Sequence, residues 1–281
     1  MIIMKMNLLL LVSFVVLSSL TVNGQHSCCN MLASNNEAFL NDPAFINAHL
    51  SPEPFVFVPA KGKMITFKTP DGKDANAFQV VEANAGNHKI FLFHEWWGLN
   101  DYIKQEAERL GEELGATVIA IDLYDGKISA NPEEASKLIT ELKDERARAI
   151  ISGAIDYVGK KGEIQTIGWC MGGKWSLQAS LMAGPNAKGC VVYYGMPETD
   201  LARLKKLQCP VLGIFASKDQ WITPVVVEKF KSDMTEAGKQ LTIYNYDADH
   251  AFANPSNPKF DQASANDAMQ KAKTFMKDNY K

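Results

Sequence analysis

Between Gln165 and Ser180 the chain reads QTIGWCMGGKWSLQAS, and few folds accommodate such a stretch. Thr166 to Trp169 is a short apolar run with the character of a buried strand. It breaks at Cys170, and Lys174 to Met182 then reads as a helix. A strand that turns this abruptly into a helix holds its central residue in a strained backbone conformation, with the side chain projecting from the turn and the helix N-terminus aimed at it. Glycine is required on either side because a Cβ would strike neighbouring backbone. Gly168 and Gly172 hold those places, and Gly173 adds clearance. Sulfur stands where the commoner G-x-S-x-G elbow carries a hydroxyl, and for sulfur the thiolate is the nucleophile, favoured by a nearby histidine.

Two further segments supply partners. Val211 to Phe215 reads as a strand and is followed by ASKDQWITP, which leaves Asp219 just past its C-terminal end. Leu241 to Tyr246 reads as another and is followed by DADHAFAN, which leaves His250 in the equivalent loop. Reactive groups of open α/β sheets gather at the carboxyl ends of the strands. The order nucleophile, acid, histidine is that of α/β-hydrolases and differs from the orders of chymotrypsin and subtilisin. His250 would take the thiol proton, and Asp219 would orient the ring. Asp247 and Asp249 are nearer in sequence but read as turn residues.

With GWCMGG, SKDQWITP, DADHAFAN and the FHEWWGLND segment near the front, residues from about Lys61 to Lys281 resemble the dienelactone hydrolase family of cysteine-dependent α/β-hydrolases. The resemblance implies that Glu95 is the carboxylate contacting the resting thiol. It also implies an oxyanion hole made by the backbone N–H groups of Trp96 and Met171. Members acting on dienelactone carry carboxylate-binding arginines after the DLY-type segment and four residues after the histidine. Here those places read Asp125, Gly126 and Lys127, then Asn254, so a small anionic lactone is not the expected substrate. Lys127 could substitute only as a weaker point charge.

The rest of the chain agrees with one α/β domain, a mostly parallel sheet with helices on both faces. Two alternating runs flank Pro70-Asp71-Gly72, an edge hairpin. Lys89 to Phe93 and Thr117 to Ile121 read as strands around a helix from Tyr102 to Leu114, and Asn131-Pro132 opens a helical stretch that continues, with a break, to Lys160. Thr223-Pro224 caps another helix, and Asp261 to Asn279 closes the fold. Strands alternating with such helices imply a parallel sheet. At 281 residues and a net charge of −3, the chain can bury a large core and has no basic excess for nucleic acid. His94-Glu95 begins like the zinc-binding H-E-x-x-H, but the pattern ends in Gly98 and follows a strand. No metal or other cofactor is therefore expected.

Residues 1–24 carry one charge, Lys5, then an apolar run from Leu8 to Leu20 and a small residue at Gly24. That is the order of a secretory signal peptide, with cleavage before Gln25 and a secreted or periplasmic product. The alternative is an uncleaved membrane anchor; after cleavage no membrane partner is expected. Residues 25–60 have scattered aromatics, prolines at 43, 52, 54 and 59, and no sustained period. They read as an arm on the domain surface with a short helix near Phe39, in which His26 and His49 have surface or packing roles. Cys28 and Cys29 could pair elsewhere or stay free, and Cys190 and Cys209 read as buried thiols.

All five tryptophans lie within five positions of Glu95, Cys170 or Asp219, and read equally as cavity wall or as core. Trp97, Tyr124, Lys127, Tyr194, Trp221 and Phe252 are candidates for the pocket. The expected activity is hydrolysis of a small-molecule ester or lactone through a thioacyl intermediate. The rivals are a thioesterase or acyl transferase with the same triad, and a silent ligand-binding domain. Nothing in the sequence specifies an oligomer.

Overall fold

The computed structural model describes residues 42–280. The segment read as a signal peptide, Phe39, Cys28, Cys29 and His26 lie outside them. Eight strands form one sheet in the order β1-β2-β4-β3-β5-β6-β7-β8. The hairpin of β1 (Lys63–Lys68) and β2 (Asp74–Val80) sits at one edge, antiparallel to β4 (Thr117–Ile121). The remaining strands run parallel: β3 (His88–Phe93), β5 (Glu163–Trp169), β6 (Ala187–Tyr193), β7 (Val211–Ala216) and β8 (Leu241–Tyr246).

Alternation along the central strands divides the core into two layers, because successive side chains leave opposite faces of a sheet. Phe91, Phe93, Ile119, Ile121 and Val192 pack beneath α4 (Asp144–Val158), α5 (Met171–Ala183) and α7 (Pro224–Glu236). Ile90, Leu92, Val118, Ala120 and Val191 pack beneath α2 (Asp101–Leu114) and α8 (Gln262–Asp278). These strands read as continuous apolar runs for that reason: both faces are covered. Among the described residues no helix is long and apolar enough to cross a membrane.

The helix ends follow local chemistry. Asn131 caps α3 (Pro132–Glu141) by accepting from the Glu134 N–H at 2.9 Å, and the expected break before α4 falls at Leu142 and Lys143. Thr223 caps α7 in the same way. The helix after Cys170 begins at Met171, three residues before the expected start: two glycines are poor helix formers, yet the elbow needs the helix to start directly after the nucleophile. Within the arm, the short helix α1 (Pro43–Ala48) starts where Asp42 accepts from the Ala44 N–H and proline takes the first helical position. The last short helix, α6 (Leu201–Leu204), follows β6.

Candidate active site

Cys170 sits at φ 54° and ψ −120°, a conformation that L-residues avoid. Its own N–H donates to the Tyr193 carbonyl at 3.0 Å, which ties the turn to the neighbouring strand. A Cβ on Gly168 would lie 2.1 Å from the Gly172 carbonyl oxygen, and one on Gly172 would lie 2.3 Å from that of Phe93. Both glycines are therefore required by close backbone approach, as the motif predicts. Among the described residues the other non-glycine positions with positive φ are Asp125, Tyr194 and Ala251. All four follow the carboxyl ends of strands, so backbone strain gathers on the edge of the sheet that bears the chemistry.

The three expected side chains meet. His250 Nδ1 lies 2.5 Å from Asp219 Oδ2, and Nε2 lies 3.2 Å from Cys170 Sγ. The other oxygen of Asp219 accepts from the Trp221 and Ile222 N–H groups, both at 2.9 Å, which locks the carboxylate behind the ring. Burial alone would lower His250, but the Asp219 carboxylate and then Cys170 carry it well above its ordinary value. Burial alone would raise Asp219, but the imidazole and the two amides hold it below the usual carboxylate range. The pair thus favours an imidazolium next to a carboxylate, the state a thiolate needs beside it. Met171 is the first residue of α5, and its N–H has no partner within the helix.

Glu95 is buried, and its hydrogen bonds come from Tyr194 Oη at 3.2 Å and from Asn254 Nδ2. Neither involves the thiol that the resemblance assigns to it. Burial pushes this carboxyl up to about 7 against the opposing pull of His250 and the two donors. An acid whose folded-state pKa is raised contributes stability that is fully present below its ordinary 4.5 and lost as pH rises through about 7. Glu95→Gln removes that dependence. The stability gap between variant and parent is expected to shift in the variant's favour by about 3 kcal/mol at most between pH 4.5 and 8. Urea melts across that range check it, and a gap that stays constant with pH would refute a raised Glu95.

The weaker candidates divide. Tyr194 and Trp221 line a cavity of about 500 Å³ that opens onto Cys170, together with Trp175, Arg148 and Arg203. Trp97 and Glu95 line a second cavity of about 170 Å³, to whose wall Cys170, Asp219 and His250 do not contribute. Tyr124 is buried, with its hydroxyl 3.3 Å from Met171 Sδ, and contributes packing under the elbow. Phe252 lies in the core between Tyr194 and Tyr246 and reaches neither cavity. Lys127 is a correction: its side chain is exposed and lies 3.7 Å from Glu141, because the loop after β4 turns outward at Asp125 and Gly126. It cannot stand in for a carboxylate-binding arginine. His94 is structural, its two ring nitrogens engaged by the Glu95 carbonyl and the Leu123 N–H. Cys190 and Cys209 are buried free thiols, as expected.

The arm contributes residues that the sequence did not disclose. Phe45 of α1 and His49, just after it, are buried against Trp96, Trp221 and the His250 ring, whose centroid lies 5.4 Å from that of His49. Burial, and then His250, push His49 down to about 3, so its ring is neutral. No periodicity marks the arm, and the packing that buries it comes from residues far along the chain.

A mostly parallel sheet whose carboxyl edge joins an elbow cysteine, an acid and a histidine, in that chain order, is the arrangement of an α/β-hydrolase. The model of the dienelactone hydrolase family matches residues 76–280, and the chain belongs to that family of ester and lactone hydrolases. The protein usf of Aquifex pyrophilus is 25% identical over 230 residues, covering 77% of this chain and 98% of its own. Carboxymethylenebutenolidase 1 of Cupriavidus pinatubonensis is 26% identical over 193 residues, covering 62% of this chain and 79% of its own. Among solved structures, a dienelactone hydrolase-like promiscuous phosphotriesterase from metagenomic libraries superposes with a TM-score of 0.68 at 17% identity, over 78% of this chain and 99% of that one. An esterase from Pyrococcus furiosus gives 0.59 at 13% identity, over 82% and 97%. At such identities the structures speak to the fold.

Proposed function

We propose that this chain is an exported enzyme that cleaves uncharged carboxylic esters or lactones through a thioacyl intermediate on Cys170. The observation that carries the reading is the single imidazole of His250 in hydrogen-bond reach of both Asp219 and the sulfur. Cys170 Sγ attacks the carbonyl carbon, and its proton resides on His250 Nε2. The tetrahedral oxyanion is received by the N–H groups of Trp96 and Met171. As the ester C–O bond breaks, His250 gives its proton to the departing alkoxide; it then takes one from water, whose oxygen attacks the thioester and frees Cys170. Asp219 holds the ring in the tautomer with Nδ1–H throughout.

The preference for uncharged substrates is supported by the cavity. Phe45, Trp175 and Trp221 line it together with Cys170, and its cations are engaged: Arg203 with Glu198, Lys174 with Asp144, and Arg148 with Asp144 and Gln178. Asn254, at one place where dienelactone-cleaving members carry an arginine, spends its amide on Glu95. Export is supported by the charge and apolar order of residues 1–24. A panel of chromogenic esters and lactones, quenched early and analysed by intact mass, tests the proposal. An acyl adduct on the peptide that contains Cys170 is expected with neutral aromatic esters. Turnover with no adduct under any quench, or no turnover on any acyl substrate, would overturn it.

A further inference from the structure

Cys170, His250 and His49 bring Sγ and two ring nitrogens within 4.8 Å of one another. Only two of the three have a place in the ester chemistry. Among the described residues His49 Nε2 is buried without a hydrogen-bond partner, on a residue only 6% exposed whose other ring nitrogen is engaged by the Phe45 carbonyl. Leaving a buried ring nitrogen unpaired costs on the order of 1–3 kcal/mol, so a group that satisfies it has a reason to bind.

In both imidazoles Nδ1 is held by an acceptor, which leaves Nε2 as the nitrogen that can ligate once it carries no proton. His49 Nδ1 lies 2.7 Å from the Phe45 carbonyl, so that nitrogen carries the hydrogen and Nε2 carries the lone pair. His250 Nδ1 is held by Asp219 in the same way. A carboxylate or carbonyl behind each ligating histidine is the usual outer support of a zinc site. One thiolate and two neutral imidazoles form a soft, three-ligand set suited to tetrahedral Zn²⁺, and the cavity lined by Cys170 and His250 has room for a fourth ligand.

We propose that Cys170, His250 and His49 form a binding site for a thiophilic divalent ion, zinc in the first place, which silences the nucleophile while it is bound. Ligand atoms around zinc stand about 3.3–3.8 Å apart, from Zn–N and Zn–S distances near 2.1 and 2.3 Å. Closure from 4.8 Å therefore asks for shifts of about 1 Å. Cys170 Sγ is 3.2 Å from His250 Nε2, so the movement falls on the arm. Whichever of the two carries the shared proton at rest, that proton leaves to solvent as the S–Zn and N–Zn bonds form. One proton is released per ion. The lone pairs that hold the ion are those that attack and shuttle protons in hydrolysis, so the ion and the substrate carbonyl exclude one another.

The test uses the full chain with Cys28 and Cys29 replaced by serine, stripped by a chelator and titrated with Co²⁺ and then Zn²⁺. One Co²⁺ per chain is expected, with a thiolate-to-cobalt band in the near ultraviolet, four-coordinate d–d bands in the visible, and displacement by Zn²⁺. Calorimetry in two buffers should show about one proton released. Cys170→Ala should abolish the near-ultraviolet band. His49→Ala and His49→Gln should each weaken Zn²⁺ by at least about a hundredfold, the upper range for loss of even an outer-shell partner. Thermal melts identify a variant that has merely unfolded, and should alanine unfold the chain, the glutamine variant decides the matter. No cobalt–thiolate band in the parent overturns the proposal. So does equal affinity in a folded His49 variant, since the ion would then sit on the Cys–His pair alone. A cobalt spectrum in a chain that cleaves no acyl substrate would sustain the site while refuting the hydrolase reading.

Discussion

Replacing Cys170 by alanine is expected to lower kcat/KM for ester cleavage by about 10⁴-fold or more, with little change in stability. In the proposed mechanism the sulfur is the atom that forms the new bond, and no other described thiol can replace it: Cys190 and Cys209 are buried in or beside strands, and burial pushes both upward. Alanine leaves the His250–Asp219 hydrogen bond and the elbow glycines in place, so what rate remains would come from the oxyanion amides and from substrate binding. Steady-state rates, read beside urea melts of the same preparations, separate lost chemistry from lost fold. A variant that keeps its rate within about tenfold of the parent would remove sulfur from the mechanism and leave the triad as architecture.

The second large effect concerns stability. Gly168→Ala is expected to cost at least about 3 kcal/mol, toward the upper end for one substitution. The added methyl would lie 2.1 and 2.4 Å from the carbonyl oxygen and carbon of Gly172, which are helix backbone and cannot rotate away. Relief requires the first turn of α5 to move off β5, and with it the position of Cys170. Gly115→Ala is the matched control. Its φ is +62°, but among the described residues nothing lies within 4 Å of the new Cβ, so it should bear only the strain of a left-handed residue, about 1–2 kcal/mol. Equal losses in the two variants would mean that conformation, and not collision, is what these glycines relieve.

The difference between what can be read from the chain and what cannot follows the reach of the interactions. The elbow is legible because Gly168 and Gly172 obey short-range backbone sterics, and a chain that turns a strand into a helix this tightly needs glycine on both sides of the central residue. Asp219 and His250 are legible because an apolar run announces a strand, and the loop that follows a parallel strand has a known destination. The start of α5 differs from expectation because glycine propensity points one way and the close approach of β3 to the turn points the other. Lys127 misleads because sequence distance from the DLY segment says nothing about the outward turn at Asp125. His49 and Phe45 have no local sign at all. Their burial is decided by Trp96, Trp221 and His250, which lie far along the chain. Asn254 stands out for the arginine it replaces, while its bond to Glu95 depends on where two loops meet.

The segment that brings Phe45 and His49 to the sulfur precedes the 76–280 stretch that defines the family. One part of the cavity wall beside the sulfur, Phe45, is therefore supplied by polypeptide outside that stretch. Recombination or drift can reshape that part of the wall while the cluster of Cys170, Asp219 and His250 stays untouched, and new preferences can arise without disturbing it.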